Sequence, residues 1–164
     1  MIKENSLLVN KNHAAAELET CIQHIKSDFR SKHKIPSDGT VIFFAPGNEV
    51  NEAEFSMENV RKGVREFLLK YSTPTSLSLK APGIENYTTV ISIHKGSNAE
   101  GWIRGYLQER EWHGKVIIVD NENNEHINAM AASDIGIIYD GQMVSAAAAC
   151  HLPTMILIKM RMHH

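Results

Sequence analysis

The stretch "IIYDGQMVSAAAACHLPTMIL" (residues 137–157) passes from an apolar run through Asp-Gly into small residues, then through Pro into a second apolar run. Short apolar runs bounded by turn residues read as strands buried on both faces, the kind that parallel sheets contain. The small residues Ala146 to Ala149 would let a helix pack closely on such a sheet. Gly141 permits a tight turn and a close approach of backbone to ligand. A helix that opens directly after a strand presents free N–H groups that favour an anion. In the plainer alternative, Asp140-Gly141 is only a strand-to-helix turn, with Asp140 as the cap.

The same alternation continues outward from this unit. Residues 14–34 carry Leu18, Cys21, Ile22, Ile25 and Phe29 at helical spacing. "VIFFA" (41–45) reads as a buried strand, and residues 53–72 as a helix with Met57, Val60, Val64, Phe67, Leu68 and Tyr71 on its apolar side. The connection "STPTSLSLKAPGIENY" (72–87) has some strand character at Leu77 and Leu79. Strands are expected at 88–93, 115–120, 135–139 and 154–159, helices at 97–110 and 142–151, and a short helix with an Asn/Asp-rich loop at 123–134. Regular alternation of this kind predicts an α/β fold: a Rossmann-like, doubly wound, mostly parallel sheet of five to six strands with helices on both faces. A single domain is expected over 1–164, with a helical lead-in at 1–36 and an α/β core at 41–160.

Composition removes several function classes. The formal net charge is −2, so no polybasic footprint points to nucleic acid. No apolar run approaches the roughly 20 residues of a membrane span, and "MIKENSLLVNKNH" lacks the apolar centre of a signal peptide. Cys21 and Cys150 lie far apart without a CxxC partner, and read as reduced thiols in a cytoplasmic setting. Neither GxGxxG nor GxxxxGK[ST] occurs, so the ordinary dinucleotide and P-loop fingerprints are missing.

Ligands of open α/β sheets bind beyond the carboxyl ends of the strands. Three such ends carry unusual loops: "APGNEVNE" (45–52), "VDNENNEH" (119–126) and "YDGQ" (139–142). His94 follows a strand and either touches a ligand or belongs to a surface loop. Glu49, Glu52 and Glu54 form an acidic group without a histidine at metal-ligand spacing.

The order of these motifs resembles the donor-binding half of the lipid-A-disaccharide synthases, inverting glycosyltransferases of two Rossmann-like domains (GT-B). Ala132-Ser133-Asp134, Gly141 and Pro153 match the family's Ala-Ser-Asp, strand, Ser-Gly-Thr, helix and Pro, with the same Gly-to-Pro spacing. Pro46, Gly47 and Glu52 match its Leu-Pro-Gly-Ser-Arg and following Glu, and "SDFRSKHKIPSDGT" looks like the helix and Ile-Pro turn before that strand. The resemblance covers about residues 20–160. It implies a UDP-sugar donor of the UDP-2,3-diacylglucosamine type, a lipid acceptor held by an N-terminal domain that this sequence lacks, and release of UDP. It implies no metal and no cofactor, and a cytoplasmic protein peripheral to the inner face of a membrane. By the same resemblance, Pro46, Gly47, Asn48, Gly141, Gln142 and Met143 would approach the diphosphate. His126, Asn128, Met130 and Ala146 would approach the nucleoside, and the catalytic base would lie in the other domain.

The sequence departs from the family at three places. Asn48-Glu49 stands for Ser-Arg, Asp140-Gly141-Gln142 for Ser-Gly-Thr, and Ala146 for the Glu expected at the ribose. These changes set a rival beside the enzyme: a non-catalytic interaction or regulatory module whose nucleotide-sugar site has decayed. A third alternative is another GT-B or epimerase-like enzyme that uses a different nucleotide.

Overall fold

The computed structural model describes residues 2–72, 86–139, 141 and 143–159. Its elements run α1 (Ile2–Lys32), β1 (Thr40–Ala45), α2 (Val50–Ser72), β2 (Tyr87–Ile93), α3 (Ala99–Glu109), β3 (Lys115–Asp120), α4 (Glu125–Ala132), β4 (Ile135–Tyr139), α5 (Val144–Ala149) and β5 (Thr154–Leu157). The strands form one sheet in the order β3-β2-β1-β4-β5, and every pairing is parallel. This is the doubly wound, Rossmann-like arrangement expected from the alternation, with five strands among the described residues.

Strand composition explains the sandwich. β1 is "TVIFFA" and β2 is "YTTVISI", and β2 is buried along its whole length. Alternate residues therefore feed two cores. Val41, Phe43, Val90 and Ile138 pack with Phe29 of α1, Ala129 and Met130 of α4 and Ala147 of α5. Ile42, Phe44 and Ile91 pack with Ala53, Met57 and Val60 of α2 and Ile103 of α3 on the other face. The two buried threonines of β2 do not break this pattern. Thr89 Oγ1 accepts a hydrogen bond from the buried Trp112 Nε1 at 3.2 Å.

Several bounds differ from the sequence reading. α1 begins at Ile2, within the helical lead-in expected at 1–36 but ahead of the periodic stretch at 14–34. Residues 13–21 are exposed, Leu18 included, because the alanine- and glutamate-rich segment is a good helix former without a surface to cover. In the segment 123–134, expected as a short helix and an Asn/Asp-rich loop, the helix begins at Glu125, after Asn123 and Asn124 with positive φ angles of 53° and 57°. Asparagine tolerates that region, so a short 3-10 turn precedes α4. α5 covers 144–149 rather than 142–151. His151 adopts a left-handed φ of 55°, and Leu152 N donates to Ala147 O at 3.0 Å, which closes the helix before Pro153. β5 ends at Leu157 rather than 159. Leu77 and Leu79 lie outside the described residues.

One buried cation ties the amino-end side of the sandwich together. Arg30 of α1 is 5% exposed. Its Nη2 reaches Asp134 Oδ2 at 2.9 Å and Ala132 O at 3.1 Å, and its Nη1 reaches Gly39 O at 2.7 Å. Asp134 Oδ2 also accepts from Val41 N at 2.8 Å, and Asp134 N donates to Val41 O at 2.8 Å. The end of α4, the start of β1 and α1 thus meet on one ion pair. The Ala-Ser-Asp motif is therefore architectural and lies at the amino end of β4, away from the carboxyl-end loops.

Replacing Arg30 with Met should lower the unfolding free energy by about 3 kcal/mol, because the carbonyls of Ala132 and Gly39 lose their donor and Asp134 loses its buried partner. Asp134→Asn, which keeps an acceptor but leaves the buried guanidinium without its counter-charge, should cost about 2 kcal/mol. Urea unfolding of the two variants checks the order.

Candidate functional site

In a sheet of this order the winding reverses between β1 and β4, and the crevice beyond their carboxyl ends is where ligands settle. A cavity of about 310 Å³ lies there. Ala45 of β1, Ser92 and Ile93 of β2, and Ile138 and Tyr139 of β4 form its floor, while Gly47, Asn48, Glu52, His94, Asn121, His126 and Met143 line its rim.

Each rim loop is held by its own side chains. Gly47 has φ of +114°, and a Cβ there would sit 2.7 Å from Glu52 Cβ. Only glycine fits that turn. Glu52 Oε1 accepts from Asn48 N at 3.2 Å and Glu49 N at 3.0 Å, so it caps the start of α2. Ser56 Oγ donates to Pro46 O at 2.6 Å from beneath. The loop is then fastened to α3. Ala99 N donates to Asn48 O at 3.1 Å, and Asn98 Nδ2 to Glu49 Oε2 at 2.9 Å. Across the cavity, Lys95 N donates to Asn121 Oδ1 at 2.9 Å, and Lys95 Nζ is paired with Glu122 at 2.7 Å. Asp120 Oδ1 accepts from Glu122 N at 2.8 Å.

His126 enters the rim from the first turn of α4. Its Nδ1 is buried without a protein partner among the described residues, as is Ser97 Oγ in the neighbouring loop. Burial pushes the His126 pKa below the ordinary imidazole value, nearby His94 pushes it the same way, and Asp120 opposes them. A half-buried, unpaired imidazole nitrogen at the rim of a polar cavity is suited to receive a ligand's acceptor or donor.

The residues expected at the donor fall into separate places. Gly47, Asn48, His126 and Met143 come together on the rim. Pro46 is buried behind it, with its carbonyl used by Ser56. Gly141 has φ of +63° and is exposed, with open space where a Cβ would stand. Gln142 and Asp140 lie outside the described residues. Asn128 turns instead toward α1, in a cleft with Asp28, Phe29 and Lys32. Met130 is fully buried in the core, and Ala146 packs against that core. The helix expected to open on an anion, α5, is six residues long and begins at Val144. Asn121 and Tyr139 reach the cavity from the strand-end loops 119–126 and 139–142, whereas Ser92, inside the strand expected at 88–93, was not singled out by sequence.

No protein-family model matches the chain, and no curated protein matches it significantly in sequence.

Gly47→Ala should destabilise the protein by about 2 kcal/mol, combining a strained φ with a clash on Glu52. Gly96→Ala, at φ of +82° but with open space around it, should cost clearly less. Thermal unfolding of the pair separates the clash from the strain.

Proposed function

We propose that this chain is the UDP-sugar-binding domain of a glycosyltransferase resembling the lipid-A-disaccharide synthases, which moves diacylglucosamine from UDP to a lipid acceptor. The observation that carries this reading is the polar cavity at the reversal between β1 and β4, where a doubly wound fold takes its nucleotide. Its volume falls near the lower end for small-molecule sites, roughly 300–1,000 Å³. The Pro-Gly turn shared with the family forms one wall, and backbone approach there is made possible by Gly47. Gly47, Asn48 and Met143 would flank the diphosphate, with the loop that begins at Asn121 beside the nucleoside. The acceptor and the catalytic base belong to a second domain in that family, so binding rather than turnover is the activity assigned to this chain. No helix among the described residues is long and apolar enough to cross a membrane.

A second reading has one specific observation behind it. Glu49, where the family carries Arg, spends its carboxylate on Asn98 as a loop fastener. That is the behaviour of a position given over to structure, and it favours a non-catalytic module.

An amide NMR titration with UDP-N-acetylglucosamine, UDP and a GDP control decides between them. Shifts at Gly47, Asn48, His94, Asn121, His126 and Met143, larger for the uridine ligands, are expected. A flat response at millimolar ligand would contradict the donor-binding reading. Equal shifts with GDP would move the assignment to another nucleotide.

A further inference from the structure

Resting on the donor-binding reading, we infer that the imidazoles of His94 and His126 hold the diphosphate of a nucleotide ligand in this cavity, and that binding takes up a proton. Among the described residues that line the cavity there is no lysine or arginine. The nearest lysine in sequence, Lys95, is already paired with Glu122. The two histidines are therefore the side chains on the rim that can become cationic, and they line it together. His126 brings the buried, unpartnered Nδ1 described above.

The surrounding charges make a cation necessary. Glu52 stands on the α2 side with its carboxylate capping the loop, and Asp120 stands at the end of β3. Glu49 is bound to Asn98 and Glu122 to Lys95. On the sheet side of α4, Cys150 lies against Ile127 O, and burial pushes its thiol pKa up, so it stays neutral. Glu125, beside His126 on α4, borders the cleft toward α1. Asp140 lies outside the described residues. A diphosphate placed among these carboxylates with neutral imidazoles would meet neutral donors such as Asn48, Ser92 and Asn121, but no cation among the described lining residues. With protonated imidazoles the charges alternate, and the hydrogen bonds become charge-assisted. In the free protein, burial disfavours the cationic form of His126. The ligand must restore it, so acidification strengthens binding. This assigns His126 to the phosphates rather than to the nucleoside.

The test is calorimetry of UDP-N-acetylglucosamine binding to the whole chain between about pH 5.5 and about pH 8, where imidazoles titrate. The diphosphate of this probe is esterified at both ends and keeps a constant charge over that range. Affinity should fall by up to about tenfold per pH unit for one coupled proton. Repeating the titration in buffers of different ionisation enthalpy should report net proton uptake on the unaltered chain. His126→Gln should flatten the pH dependence, and His94→Gln should weaken binding at the acid end. Binding with constant affinity and no proton uptake would overturn this inference while leaving the donor site intact. Loss of binding at every pH would remove the donor-binding reading and this inference with it.

Discussion

The sandwich depends on the guanidinium of Arg30. It is a buried charge, and a buried charge persists only where its hydrogen-bonding capacity is met. Here the partners are carbonyls at Ala132 and Gly39 and the carboxylate of Asp134, which itself pairs with the backbone of Val41. One planar fork therefore sets how α1 lies on the sheet, where α4 ends and where β1 begins. β1 is the central strand, and β4 pairs directly with it from Ile42 to Ala45. Fixing these two strands at their amino ends fixes where their carboxyl ends diverge. The cavity is the downstream consequence of an ion pair at the opposite end of the same strands.

This division of labour changes what the shared motifs mean. Ala-Ser-Asp looks like part of a donor site because it precedes the strand and turn of that site. Its aspartate instead serves the fold, and its alanine, Ala132, is buried in the core at the end of α4. The Pro-Gly turn is the motif that reaches the cavity, through Gly47. Glu52, matched to the same motif, works by holding the loop N–H groups in place.

The fold was legible in the sequence because buried parallel strands leave short apolar runs that few other structures produce. "VIFFA" and "KVIIVD" needed no further context. The site was legible only in part. A strand end can be read from a pattern, but the direction of a side chain on a short helix cannot. His126 and Asn128 sit two residues apart on α4, so they face different sides of it, one to the cavity and one to α1. Met130 lies one turn further along and is swallowed by the core. The length of α5 was also hidden, since four alanines continue a helix equally well in either direction, and the left-handed turn at His151 stops it. On the α2 side of β4 and β5, Ile135 and Met155 remain substantially exposed in an apolar groove, which the alternation of elements gave no means to foresee.

A crystal structure of the chain with UDP would locate the site outright. The diphosphate is expected at the reversal between β1 and β4, against Gly47 and Asn48 on one side and His94 and His126 on the other. A diphosphate bound elsewhere, such as the groove between α2 and α3 that carries Trp102 and Tyr106, would contradict that placement.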